Sequence, residues 1–217
     1  DAIKAIQSKI RNGGDRFLLE MATGTGKTTT SAAIIKMFLR LYKVNRVLFL
    51  VDRLELETQA KKEINDILQN DFETAIWKEN KDDWRRANIV ISTVQSFTKN
   101  NKYKRIFKPN SFDLVISDEA HRSLGQRSRN VFEYFIGFKL GLTATPRDFL
   151  KSINTDDMSM TDPKELERRL MLDTYQIFGC DEGEPTFRYT LLDGVKDGYL
   201  INPMVIDVVT GLSAEIM

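Results

Sequence analysis

Several residue types are scarce in this sequence of 217 residues, and each shortage excludes a class of protein. The single cysteine, Cys180, cannot form an internal disulfide, so we expect a reducing compartment, the cytoplasm. With 5 prolines and 12 glycines, the chain is neither collagen-like nor a flexible linker. No apolar run reaches the roughly 18 residues of a membrane-spanning helix, and the first residues lack a secretory signal pattern.

The charge of the chain is balanced and therefore identifies no partner. There are 32 Lys and Arg against 31 Asp and Glu, a net charge of +1 that does not reveal whether a local basic groove exists. The hydrophobic share of 41% and the charged share of 29% are those of a globular chain of one to one and a half domains. Because the sequence lacks an initiator methionine and ends just past an apolar stretch, we expect a fragment of a longer polypeptide.

Short apolar stretches rich in β-branched residues recur along the first part of the chain. They predict buried strands at Phe17–Met21, Val47–Val51, Thr74–Trp77, Ile89–Ser92, Leu114–Ser117 and Lys139–Thr143. Apolar residues at three- and four-residue spacing predict amphipathic helices at Thr28–Tyr42 and Glu55–Leu68. Strands that alternate with helices indicate an α/β fold with a mostly parallel sheet covered by helices.

The pattern changes beyond residue 146, where a polar and aperiodic stretch follows. Further on, a helix start is predicted at Asp162 and a short strand at Phe187–Leu192, and another apolar run begins at Val205–Val209. We therefore predict two units, an α/β lobe over residues 1–150 and an extension over residues 151–217.

A glycine-rich loop lies between the first predicted strand and the first predicted helix. Its residues predicted to bind nucleotide are Thr23, Gly24, Thr25, Gly26, Lys27, Thr28 and Thr29. The glycines permit backbone N–H groups to converge on an anion, Lys27 reaches the β- and γ-phosphates, and Thr28 is placed to bind Mg²⁺. Met21 stands where the general phosphate-loop pattern has glycine, and the alternative is a flexible turn.

An acidic tetrad, Asp118-Glu119-Ala120-His121, follows the strand predicted over Phe112–Ser117. Ligands of open α/β sheets bind at the carboxyl ends of strands. Asp118 is suited to hold Mg²⁺, and Glu119 to orient and deprotonate an attacking water. The alternatives are a solvated turn for the acids and a structural or surface role for His121, the only histidine.

Together with the glycine-rich loop, four segments resemble in order and approximate spacing the first, RecA-like P-loop NTPase lobe of superfamily 2 helicases and translocases. They read VLFLVDR at 47–53, ISTVQSF at 91–97, DEAH at 118–121 and GLTATP at 141–146. The resemblance implies ATP and Mg²⁺ as cofactors and ATP hydrolysis coupled to movement along nucleic acid. Branches of the superfamily whose loop reads MATGTGKT tolerate the methionine.

Within the superfamily the sequence is most similar to the motor (R) subunit of type I restriction enzymes. The similar segments read LLEMATGTGKT, RVLFLVDR, DEAHRS, IGFKLGLTATP and FRYTLLDGVKDGYLINP, the last resembling the bridge toward a second lobe. This likeness implies translocation along double-stranded DNA. The implied partners are the specificity and methyltransferase subunits, and a second motor lobe and a nuclease domain of the parent chain.

The resemblance also implies roles for individual residues. Lys27, Asp118 and Glu119 are implied to be catalytic, and Thr28 and Asp118 to bind the metal. The residues implied to contact DNA phosphates are Arg53, Thr93, Gln95 and Ser96. The residues implied to couple the ATP site to the DNA site and to the second lobe are His121, Thr143 and Thr145. Ordinary alternatives remain open. Arg53 suits a solvated loop, and Thr93 and Ser96 suit a helix cap. Thr143 and Thr145 suit a strand end. Trp77 and Trp84 are better explained by packing than by base stacking.

Three parts of the family's motor are not recognised in the sequence. The arginine of the second lobe is worth about 10³ to 10⁵ in rate in comparable NTPases, so this chain alone is expected to hydrolyse ATP poorly. The segment that reads adenine is truncated, which predicts weak and poorly selective nucleotide binding. No nuclease residue is recognisable. The alternatives are another superfamily 2 enzyme of DNA repair or RNA remodelling, and a nucleotide-binding module that does not hydrolyse ATP.

Overall fold

The computed structural model describes residues 1–69, 71–77, 79, 83–121, 126–146, 173–180 and 183–202. They form a seven-stranded sheet in the order β3-β4-β2-β5-β6-β1-β7, and every pair of neighbouring strands is parallel. The strands are β1 Arg16–Met21, β2 Val47–Val51, β3 Thr74–Ile76, β4 Ile89–Thr93, β5 Leu114–Ser117, β6 Phe138–Thr143 and β7 Phe187–Tyr189. The predicted α/β class with a parallel sheet is confirmed.

Helices cover both faces of the sheet. They are α1 Ala2–Arg11, α2 Lys27–Leu41, α3 Glu55–Leu68, α4 Asp83–Arg86, α5 Val94–Thr98, α6 Lys102–Ile106, α7 Gln126–Tyr134, α8 Thr174–Ile177 and α9 Leu191–Lys196, with a 3₁₀ turn at Lys99–Asn101. The buried residues form two clusters: one contains the apolar faces of α1, α2 and α3, and the other those of α4 to α8. The sheet therefore has two hydrophobic cores, one on each face. No helix in the described ranges is long and apolar enough to cross a membrane.

The predicted strands before residue 146 are confirmed to within two residues at each end. Every residue of β2, β4 and β5 is buried, as expected of strands covered by helices on both faces. The helix predicted at Glu55–Leu68 has those bounds as α3, and α2 begins one residue before its predicted start. Gly26, with φ of 83°, fixes that start, because the left-handed conformation suits glycine and precedes the first helical residue, Lys27.

The strand predicted at Phe187–Leu192 is wrong in its second half. It ends at Tyr189, and α9 begins at Leu191, because Thr190 and Asp193 form a capping box that satisfies the first N–H groups of a helix. The sequence prediction assigned the apolar pair after Thr190 to a strand and overlooked the Thr-x-x-Asp pattern around it. The helix start at Asp162 and the apolar run at Val205–Val209 lie outside the described residues.

The described part of the C-terminal region packs on the same sheet as the residues before 146. β7 is the neighbour of β1, with Leu19 opposite Phe187. The Arg188 guanidinium contacts the Glu20 carboxylate at 2.9 Å. A Cβ atom added at Gly141 of β6 would lie 2.7 Å from the Phe178 ring, so Phe178 packs directly on β6. The division into units at residues 150 and 151 stays a prediction, since residues 147–172 are not described.

Candidate functional site

The glycine-rich loop connects β1 to α2 at the carboxyl edge of the sheet. Gly24 and Gly26 have φ of 80° and 83°, a region that side chains with a Cβ rarely adopt. The Thr25 hydroxyl donates to the Ala22 carbonyl oxygen at 2.6 Å and closes the turn. Thr28 and Thr29 lie in the first turn of α2, whose free N–H groups and dipole favour an anion. The loop thus has the local geometry of a phosphate-binding loop.

The acid pair lies at the carboxyl end of β5. The Asp118 N–H donates to the Leu50 carbonyl oxygen at 2.9 Å, which extends the pairing of β5 with β2. The Glu119 N–H then donates to Asp118 Oδ1 at 3.0 Å. Glu119 has φ of 51°, a left-handed conformation that costs free energy in a residue other than glycine and is often found at functional sites.

The Lys27 ammonium stands between the phosphate loop and the acid pair. Lys27 Nζ lies 3.4 Å from Glu119 Oε1, and the Lys27 side chain is only 11% exposed. The two charges are close, but their geometry is not that of a hydrogen bond, and Lys27 Nζ has no hydrogen-bond partner among the described residues. A buried ammonium without hydrogen bonds is costly, so its position fits an anionic ligand at the loop.

The Asp118 carboxylate has an environment that fits a cation. Burial raises the pKa of Asp118, and the negative charge of Glu119 raises it further. A divalent cation would offset both effects. In the described part of the chain, no group of three or more His, Cys, Asp and Glu is arranged to hold a metal ion by itself. Mg²⁺ is commonly held by one or two carboxylates together with substrate phosphates, and Asp118 could supply one such carboxylate.

A chain of contacts runs from the acid pair to the end of β6. His121 Nδ1 lies 3.4 Å from Glu119 Oε2 and shares a hydrogen bond of 2.7 Å with Thr143 Oγ1. The same hydroxyl oxygen accepts the Thr145 N–H at 3.1 Å. The residues predicted to couple two sites are therefore in contact with one another, and His121 is neither isolated nor at the free surface.

A recess of about 430 Å³ lies next to the phosphate loop, and the sequence did not predict it. Its walls are the start of α1, the first turns of α2, and residues of the C-terminal region: Phe187, Tyr189, Asp197 and Tyr199. Leu200 packs against the loop itself, because a Cβ added at Gly24 would lie 3.2 Å from Leu200 Cδ2. The sequence shows Tyr189 and Tyr199, but it does not show that they lie near the phosphate loop, because their proximity depends on β7 joining the sheet.

The residues predicted to contact DNA lie after β2 and β4. Arg53 is exposed and pairs with Asp52 at 3.6 Å. Thr93 is only 2% exposed and caps α5, since its hydroxyl oxygen accepts the Ser96 N–H at 3.1 Å. Gln95 is exposed and Ser96 is half-buried. The capping role given above as the alternative for Thr93 is present, and the DNA contacts stay predictions.

Glu57 is a residue of this edge that the sequence analysis missed. It is 6% exposed, and its carboxylate accepts the Thr93 N–H at 2.7 Å, which ties α3 to the end of β4. Its spacing from Ala60 and Ile64 places Glu57 on the apolar face of α3. A charged residue at such a position indicates a buried polar contact, so the sequence contained a sign of this role.

Trp77 and Trp84 pack against each other in the core. Their ring centroids are 4.7 Å apart, and both side chains are buried among the phenylalanines of the second cluster. The packing interpretation is confirmed. In the charge-rich stretch around Trp84, residues 78 and 80–82 lie outside the described residues.

Comparison with known proteins gives one family and several similar chains. A family model described as "Type III restriction enzyme, res subunit" matches residues 1–148. The endonuclease subunit of the type I restriction enzyme EcoAI from Escherichia coli is 33% identical over 92% of this chain and 22% of its own length. The EcoKI endonuclease subunit from E. coli K12 is 31% identical over 93% and 17%. The chain thus spans about a fifth of these relatives.

Solved structures show the same fold. A fragment assigned as an HsdR subunit of a type I restriction enzyme from Vibrio vulnificus YJ016 matches with a TM-score of 0.56 and 26% identity, over 91% of this chain and 30% of that one. A nuclease-deletion mutant of the type ISP restriction-modification enzyme LlaGI, in complex with a DNA substrate mimic, matches with a TM-score of 0.60 and 23% identity, over 91% and 20%. The fold is that of a RecA-like helicase lobe.

Proposed function

The chain belongs to the family described as the res subunit of type III restriction enzymes, and from this premise we propose that it is a DNA-dependent ATPase lobe. Its resemblance to superfamily 2 helicases and to type I restriction subunits extends over most of its length. We propose that the whole protein is the motor subunit of a type I restriction enzyme. It would couple ATP hydrolysis to translocation along double-stranded DNA, with specificity and methyltransferase subunits, a second motor lobe and a nuclease domain as partners.

The observation that carries the proposal is the Lys27 ammonium, which is buried, lacks a hydrogen bond among the described residues and faces an acid pair. An ATP phosphate chain supplies the acceptors that Lys27 lacks, and it would compete with Glu119 for the lysine. A phosphate site between Lys27 and the loop glycines accounts for both features.

Within this site each residue of the chain has a distinct task. The loop N–H groups between Thr23 and Thr29 bind phosphate oxygens, and Lys27 neutralises their charge. Thr28 and Asp118 hold Mg²⁺, which when bound supplies positive charge at the phosphate oxygens. Glu119 accepts the proton of the attacking water. His121 and Thr143, which share a hydrogen bond, link Glu119 to the end of β6.

The recess beside the loop is the proposed place of the adenine ring. Its walls are more apolar than polar, and the aromatic rings of Tyr189 and Tyr199 supply surfaces on which a base can stack. This proposal differs from the expectation of poor base selectivity.

DNA-stimulated ATP hydrolysis tests the proposed function. We expect the intact protein with Lys27→Ala to lose this activity, because the phosphate charge is no longer neutralised. Lys36→Ala is the matched control: it removes a lysine from the same helix, one that pairs with Asp71 on the surface. Unchanged turnover in Lys27→Ala would refute the site assignment. Equal stimulation by duplex RNA would favour an RNA remodelling enzyme.

A further inference from the structure

A second cavity, lined by polar side chains, lies beside α5, separate from the nucleotide site. This amide cleft has a volume of about 300 Å³ and is lined by Gln95, Thr98, Lys99, Asn100, Asn101, Tyr103 and Asn130. No carboxylate is among these described lining residues. It adjoins β4, which β2 separates from β5 and its acid pair. Side-chain amides, threonine hydroxyls and lysines are groups that donate hydrogen bonds to phosphate oxygens.

The sequence around the cleft is strongly basic. From Trp84 to Phe112 it contains no aspartate or glutamate, while residues 99–108, the basic segment, contain Lys99, Lys102, Lys104, Arg105 and Lys108. Because the net charge of the whole chain is only +1, the rest of the chain is net negative. Positive charge is therefore concentrated at this place, which the balanced composition concealed.

The charges of the basic segment are not neutralised within the described part of the chain. Its lysines and arginine are exposed, and none forms an ion pair with a described carboxylate. Lys104 Nζ lies 5.9 Å from the centre of the Tyr103 ring and 5.8 Å from that of Tyr134. These are cation–π contacts, which do not neutralise the positive charge of the lysine. These cations are therefore available to a polyanion.

The basic segment is also held firmly on the core. Tyr103 is 1% exposed and stacks on Phe97 with ring centroids 5.5 Å apart, and Phe107 stacks on Phe97 from 5.6 Å. Asn100 and Asn101 have φ of 55° and 52°, a conformation that asparagine tolerates better than most residues. The turn that carries the cleft is thus anchored by aromatic residues on its C-terminal side.

We propose that the amide cleft and the basic segment bind the sugar–phosphate backbone of DNA. This proposal rests on the proposed function. It extends the proposed DNA contacts from Gln95 and Ser96 in α5 to the residues that follow them in the chain. The proposed partners are phosphate and sugar oxygens, which position a duplex and carry no base sequence by themselves. Each lysine that meets a phosphate contributes through release of counterions, so the contact weakens with salt.

Salt-dependent binding of a fluorescent DNA duplex by the intact protein tests the proposal. Lys99→Gln with Lys102→Gln is compared with Lys4→Gln with Lys62→Gln, which removes the same charge from exposed sites on α1 and α3, on the other face of the sheet. We expect the slope of log affinity against log salt to decrease in magnitude by about 1 for each of the two lysines, Lys99 of the cleft and Lys102 of the basic segment, hence by about 2, and to stay near wild type in the control.

A charge-preserving variant separates binding from a structural role. Lys99→Arg with Lys102→Arg is expected to keep the wild-type slope. The cleft proposal would be overturned if Lys99→Gln with Lys102→Gln had the same slope as the control, Lys4→Gln with Lys62→Gln. It would also be overturned if the slope of the arginine variant fell as far as that of Lys99→Gln with Lys102→Gln. Both outcomes would leave the ATPase proposal intact. A wild-type protein that fails to bind duplex DNA would overturn both.

Discussion

At the scale of single residues, Glu119 combines features that sequence and structure reveal separately. Its identity and its place after a buried strand were predictable, because DEAH follows the apolar run of β5. The left-handed backbone of Glu119 and its ion pair with Lys27 were not predictable from the sequence, because both depend on the arrangement of β5 and the loop after β1, with β6 between them. In the same way, Thr143 was predicted as a coupling residue, but the hydrogen bond between its hydroxyl and His121 could be seen only in the folded structure.

The ion pair between Lys27 and Glu119 leads to a prediction about affinity. Glu119→Gln removes both the charge that competes for Lys27 and the charge that repels phosphates. We expect this variant to bind ATP several-fold more tightly than wild type, as measured by calorimetry, about 1 kcal/mol for a factor of five. Glu63→Gln, on α3 and away from the site, is the control and should bind as wild type does. Weaker ATP binding by Glu119→Gln would contradict the pairing.

Lys139 on β6 gives a prediction about pH. Its side chain is 4% exposed, and burial, with a smaller contribution from Arg16, lowers the pKa of Lys139 to about 8. Between pH 8 and 10.5 the unfolded chain still binds the proton that the folded chain has lost, so stability rises with pH over that range. We expect Lys139→Met, which removes the buried charge, to flatten this rise in urea unfolding. A rise of equal size in both proteins would contradict the assigned pKa shift.

At the scale of elements, local patterns predicted what depends on local residues and missed what depends on distant partners. α3 and the strands before residue 146 follow from periodicity and apolar runs. The place of β7 beside β1 could not be read from the sequence, because a parallel neighbour is separated by a long connection. Consequently the recess, which needs both β7 and α9 next to the phosphate loop, was not foreseen.

The cap of α9 is predicted to influence nucleotide binding. Thr190→Ala removes the hydroxyl of the capping box and costs the helix about 0.5 to 2 kcal/mol. Because Gly194 and Leu200 pack against Thr25 and Gly24, loosening α9 should weaken ATP binding by a few-fold. Thr190→Ser keeps the hydroxyl and should bind as wild type. The link is disproved if the alanine and serine variants bind ATP equally well.

At the scale of the whole molecule, the parallel sheet gathers the candidate groups along its carboxyl edge. The phosphate loop follows β1, the acid pair follows β5, and Gln95 follows β4. The sheet order places β6 between the first two and β2 between the last two, which gives two neighbouring regions on one edge. The composition predicted neither the concentration of positive charge on one side nor the recess, because each joins residues that are far apart in sequence.

The most direct test of the central claim is the rate of ATP hydrolysis by the intact protein, with and without duplex DNA, in wild type and in Glu119→Gln. We expect DNA to stimulate the wild type, and we expect the variant to bind ATP but to turn it over at least about 10²-fold more slowly, the usual contribution of a general base. Equal turnover by the two proteins, or a wild type that binds ATP and never hydrolyses it, would contradict the claim.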